Sequence, residues 1–157
     1  MVRFGLLAVL VACAGGEPGD GAPSPSETSE PTGPVTLSLA IDLDADLIPT
    51  LDEPAVGQFR GSVFAEADAG SFGPIDGAES LLDFTTEELD FGEAGGVLET
   101  GTTLGPLDLQ VVWVLGCFDT AGDDCESGDP ITIPNENKFL LEATTEALTL
   151  QLNLLQP

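Results

Sequence analysis

The side chains able to do chemistry here are mostly carboxylates. The chain carries 28 Asp and Glu against three Lys and Arg, with three cysteines, no histidine and no tyrosine. Without histidine, no Ser-His-Asp or Cys-His nucleophile system can form, and no His-ligated zinc or copper. A general acid or base would have to be Asp, Glu or Lys138. Two carboxylate-rich segments have spacing worth testing for calcium. In the first, Asp42, Asp44, Asp46 and Glu53 occupy positions 1, 3, 5 and 12 of an EF-hand-like loop, but Leu47 stands where that loop needs glycine. Alternate carboxylates on a strand lie about 6.6 Å apart, too far to share one ion unless the chain turns. The plain reading is a solvated strand face running into a loop. In the second, Asp119, Asp123, Asp124, Glu126 and Asp129 surround Cys125. This segment also departs from D-x-D-x-D-G, with Ala121 and Asp124 out of pattern. An irregular Ca²⁺ site of millimolar type is the candidate there, since hard oxygen ligands suit calcium over zinc or copper.

Cys13 closes an apolar run from Phe4 to Ala12, with Arg3 before it. The run has the length of a signal h-region and is too short to span a bilayer, which needs about 20 apolar residues. Leu10-Val11-Ala12-Cys13 resembles the lipobox of bacterial lipoproteins. The resemblance implies cleavage before Cys13, lipid on its thiol and acylation of the new amino group. Several acyl chains anchor stably, at about 0.8 kcal/mol per buried CH₂. Ala14, by the sorting rule of some lipoproteins, points to the outer membrane. The alternative is an ordinary signal peptide with an incidental cysteine.

Residues 1–12 are therefore read as the signal peptide and 13–34 as the lipidated cysteine and a disordered tether. Residues 15–34 are rich in Gly, Pro, Ser, Glu and Thr and cannot bury a core. Some 20 residues of such chain reach on the order of 25 Å. With Cys13 lipidated, Cys117 and Cys125 remain, and an even remainder in an exported chain pairs as a disulfide. The bridge would pin the polar loop 118–124 and contribute about 2–3 kcal/mol in the chain-entropy model. A redox pair is disfavoured, because the spacing is not C-x-x-C and no cation is expected nearby to lower a thiol pKa.

The net charge of −25 excludes nucleic acid as a partner and argues against binding to anionic headgroups. It points to cations or to proteins with basic faces. The chain is not disordered overall: 42% of it is hydrophobic, mean hydropathy is positive, and the apolar residues alternate.

Residues 35–157 read as one domain of strands. Val35, Leu37, Leu39, Ile41 and Leu43 alternate with polar or small residues, the period of a strand with one buried face. Phe59, Gly61, Val63, Ala65 and Ala67 repeat the pattern. Leu107, Leu109, Val111, Trp113, Leu115 and Cys117 suggest one long central strand, with Val112 and Val114 on its other face. Leu148, Leu150, Leu152 and Leu154 suggest the last strand. Shorter strands are expected within 81–91, 97–103 and 138–143, with a single helical turn as an option at 85–89. Residues 143–146 are expected to turn a final hairpin, and Gly73-Pro74 and Gly105-Pro106 to mark loops. No βαβ alternation is visible, so the expected fold is all-β, an antiparallel β-sandwich of immunoglobulin-like architecture, with a small closed barrel as alternative.

Val114-Leu115-Gly116-Cys117-Phe118-Asp119 with Gly128-Asp129-Pro130, and Gly61-Ser62-Val63-Phe64 earlier, resemble transthyretin-like (prealbumin-like) bacterial sandwich domains. That resemblance implies a binding or accessory module and brings no catalytic residues. The expected function is a lipid-anchored cell-envelope protein with a non-catalytic binding or structural domain, attached to the membrane through its lipid and serving an envelope protein or ligand. A calcium-dependent adhesion module and a carboxylate-dependent hydrolase are the other readings.

Overall fold

The computed structural model describes residues 33–122 and 124–157. Cys13 and the rest of the expected signal and tether up to residue 32 lie outside the described residues, as does Asp123. Among the described residues eleven strands form in order: β1 (Val35–Leu43), β2 (Val56–Ala65), β3 (Ala69–Gly70), β4 (Gly73–Pro74), β5 (Leu82–Thr85), β6 (Leu89–Asp90), β7 (Gly96–Leu107), β8 (Val111–Asp119), β9 (Pro130–Thr132), β10 (Lys138–Leu140) and β11 (Thr145–Leu155). Three short 3-10 turns accompany them. The fold is all-β.

One continuous sheet runs β5-β2-β8-β9-β11-β1-β7, with β6 on β2 and β10 on β8. It folds over itself into two layers, and its ends, β5 and β7, approach each other. The three-residue β9 is the seam between the layers. The core lies between them. Val35, Leu37, Leu39, Ile41 and Leu43 of β1 all face inward, against Phe59 and Val63, Val112, Val114 and Phe118, and Leu148, Leu150 and Leu152. The Gly61–Gly116 cross-strand pair has no side chains of its own to contribute to this core. A Cβ on Gly116 would come within 2.8 Å of the Phe59 ring, which covers the gap.

Several expectations are corrected. The sheet is mixed: β1 and β11 pair in parallel, while the other pairings are antiparallel. Parallel pairing needs no βαβ unit here, because the two strands are the first and last described and nearly the whole chain connects them. The final hairpin does not form. β10 pairs with β8, and residues 141–144 carry the chain to β11. The long strand from Leu107 is two strands. Leu107 ends β7, and Asp108, Leu109 and Gln110 form the link to β8. Leu154 turns outward after a register shift in the β9–β11 pairing. Ala67 falls in a 3-10 turn beyond β2. Both Gly-Pro pairs lie in strands, Gly73-Pro74 as β4 and Gly105-Pro106 within β7. No helical turn forms at 85–89. Instead Thr86 docks on Phe59, donating its N–H to the Phe59 carbonyl (2.9 Å) and accepting the Phe59 N–H at its hydroxyl (3.0 Å).

β8 is buried on both faces. The face opposite the core carries Trp113 and Leu115, packed with Phe64, Ala69 and Ala78, and Cys117 beyond them. Lys138 lies over the Trp113 ring, 4.9 Å from its centroid, and pairs with Glu66 at 2.8 Å.

Candidate functional site

The strands give the domain two poles. β1, β11 and β8 all run the same way through the sheet path. Their starts, with Pro34, Leu107 and Gln110, form the pole at which β1 begins. Their ends form the other, about 30 Å away for nine residues at about 3.3 Å each. The second acidic segment lies at this far pole.

Cys117 and Cys125 are bonded there, with Cα atoms 6.0 Å apart, as expected from the sequence. Cys117 is buried and Cys125 is exposed. The carboxylates around them divide. Asp119 is buried and accepts the Gly122 N–H (2.6 Å) on one oxygen and the Arg60 Nε–H (3.0 Å) on the other. Asp129 is also buried and accepts the Thr120 N–H and hydroxyl (3.3 and 3.2 Å) and the Glu126 N–H (3.0 Å). These bonds take over from the regular ladder as the chain leaves β8, and they give the two buried carboxylates the hydrogen-bond partners that burial requires. Asp124 and Glu126 are exposed, and Asp124 meets the Arg60 guanidinium at 2.9 Å. Arg60 is the cross-strand partner of Cys117. A cation therefore does lie beside the cysteine pair, supplied from 57 positions away in sequence, and it is held by two carboxylates.

The first acidic segment is built otherwise. Asp42 lies within β1, and Asp44, Asp46 and Glu53 are exposed. Asp44 accepts the Asp46 N–H (2.8 Å) in a local turn. Glu53 from this segment and Glu126 and Asp129 from the other line one recess of about 180 Å³. Among the described residues, no three His, Cys, Asp or Glu side chains are grouped so as to hold a metal ion.

A second feature had no sequence signal. On the outer face of β8 and β9, a trough of about 340 Å³ runs from Phe72 over Leu115 and the disulfide to Ile131 and Pro134. It adjoins a wider hollow of about 510 Å³ containing Arg60, Ser62 and Asp83, with Leu115 and Gly116 shared between the two. The Ser62 hydroxyl donates to Asp83 at 2.6 Å. That bond, and one from Ser80, hold the Asp83 carboxyl below the usual carboxylate range. Phe72 is fully exposed at the tip of the β3–β4 hairpin. Only its flanking small residues and turn formers, Gly70, Ser71, Gly73 and Pro74, hint from sequence at a projecting tip.

The arrangement offers carboxylate acceptors, one engaged guanidinium and apolar surface. Compared with protein-family models, curated proteins and solved structures, the chain matches none.

Proposed function

We propose that the chain is a lipid-anchored protein of the bacterial cell envelope, held at the outer membrane through Cys13, whose sandwich is a non-catalytic binding module of transthyretin-like type. The observation that carries this reading is the polarity of the domain. The Gly/Pro/Ser-rich segment joins it at the start of β1, and the disulfide-bonded loop sits at the opposite end. On a lipidated chain that loop would face away from the bilayer. Loops positioned by a rigid scaffold are a common place for recognition. The test is fractionation of the full chain and of Cys13→Ser. Release of the variant from membranes is expected, together with a mass for the wild type that includes acyl chains. A variant that stays with the membrane fraction would sink the anchor.

A calcium-dependent module is the second reading, favoured by one observation: the two acidic segments meet at the recess shared by Glu53 and Glu126. A ligand that binds only the folded state raises its stability by RT ln(1 + [L]/Kd). A melt of the full chain that rises by several degrees in millimolar Ca²⁺ over both EDTA and Mg²⁺ would put this reading first. No difference from the Mg²⁺ control would remove it.

A further inference from the structure

We propose that the trough between Phe72 and the Cys117–Cys125 bridge is the docking surface for a protein segment that carries an apolar side chain flanked by Lys or Arg. This deepens the binding-module reading and rests on it.

Phe72 is the most exposed large apolar residue among those described. Its place is fixed rather than incidental to a loose loop. The hairpin that bears it is seated through Ala69 on the Trp113–Leu115 surface. It is closed below by backbone bonds from Ile75 to Asp68 and from Ala78 to Ile75, both 3.0 Å. The fold thus holds an aromatic ring in water beside an apolar floor of Leu115, the disulfide and Ile131. Aromatic anchors next to such pockets are what interfaces use for most of their binding energy.

The rim names the partner. Exposed Asp124 precedes Cys125 of the floor in sequence, Glu126 follows it and lines the separate recess with Glu53, and Asp83 stands across Leu115 in the adjoining hollow. The cation present there, Arg60, is already paired with Asp119 and Asp124. Among the described residues Asp83 pairs with no cation, and the one guanidinium is shared between two carboxylates, so a partner with Lys or Arg beside its apolar residue would meet net negative charge around an apolar floor. A second copy of this chain would bring another −25 charge and no complement to it. A neutral bilayer would accept Phe72 but leave the rim carboxylates unused.

The experiment uses the full ¹⁵N-labelled chain with two synthetic peptides of equal length, one alternating Leu and Lys, the other Leu and Glu. Neutral phosphatidylcholine vesicles form a third arm. The expected result is binding of the Leu/Lys peptide, with amide shifts at Phe72, Leu115, Ile131 and Thr132. Phe72→Ser should weaken that binding at least about tenfold without lowering Tm, and Phe72→Trp should retain it. Four outcomes would overturn the proposal: no binding, equal binding of the Leu/Glu peptide, shifts spread over the acidic loops that Phe72→Ser leaves unchanged, or Phe72-dependent binding to the vesicles. Membrane release of Cys13→Ser is read separately, so failure at the trough and failure of the anchor are distinguishable.

Discussion

The two acidic segments look alike in sequence and are built in opposite ways. In residues 42–53 the carboxylates fall on a strand face and a solvated loop, and one of them makes a two-residue turn. In residues 117–129 two carboxylates point inward and hold the loop together. Asp119 and Asp129 accept backbone N–H groups, and Asp119 also receives Arg60. The difference teaches that carboxylate density says little about ligand sites. What matters is whether the backbone around the group lacks hydrogen-bond partners. Leaving β8 strands several N–H groups near buried surface, and the aspartates answer them. At the end of β1 the Asp44 N–H finds the Leu152 carbonyl at 2.9 Å, and the side chains there stay exposed, with a single local bond from the Asp46 N–H to Asp44.

The contrast can be broken experimentally in descending order of effect. Replacing both cysteines, Cys117→Ser with Cys125→Ser, should cost about 3 kcal/mol by lengthening the unfolded chain's freedom, read as a lower urea midpoint. Asp119→Ala should cost about 2 kcal/mol, because the Gly122 N–H and the Arg60 guanidinium both lose an acceptor. Asp129→Ala should cost about 1–2 kcal/mol for the same reason at neutral donors. The matching changes Asp44→Asn and Asp46→Asn in the first segment should stay within about 0.5 kcal/mol. If they cost as much as Asp119→Ala, the distinction between the two segments fails. The smallest effect concerns Asp83. Its carboxyl is held below the usual range in the folded state by the Ser62 and Ser80 hydroxyls. Its contribution to stability is therefore present at neutral pH and is lost as pH falls through the lowered folded pKa. A carboxyl-detected NMR titration should give a depressed midpoint, and Ser62→Ala should move it back up.

The regular strands were legible because their burial is one-sided. The alternation from Val35 to Leu43 put all five inward residues in the core. β8 was harder, since both its faces are apolar and period two cannot say which faces the main core. Val112, Val114 and Phe118 do, while Trp113 and Leu115 pack with Phe64, Ala69 and Ala78 on the other face and Cys117 is bonded to Cys125. Pairing was not legible where it joins strands distant in sequence. Nothing local to Thr145–Leu155 marks Val35–Leu43 as its neighbour, and nearness in sequence points instead to a hairpin with the strand just before it. The disulfide could be read from cysteine arithmetic. Arg60 beside it could not, because the cross-strand register with Cys117 is a property of the folded sheet. Thr120 and Thr86 gave no signal, since in sequence each is an ordinary loop residue, and Phe72 is marked only by its small and turn-forming neighbours.

The parallel pairing of β1 and β11 also bears on how the domain carries load. β1 is hydrogen-bonded on both sides, to β11 and to β7, and the preceding segment joins it at Val35. Tension applied along β1 through that segment would pull it lengthwise between two ladders. Their bonds would resist together in shear rather than open one after another like a zip. The edge strand β5, held in the sheet by β2 alone, would peel at far lower force. Single-molecule extension from the N-terminal side, compared with extension through a handle on β5, would measure that mechanical asymmetry.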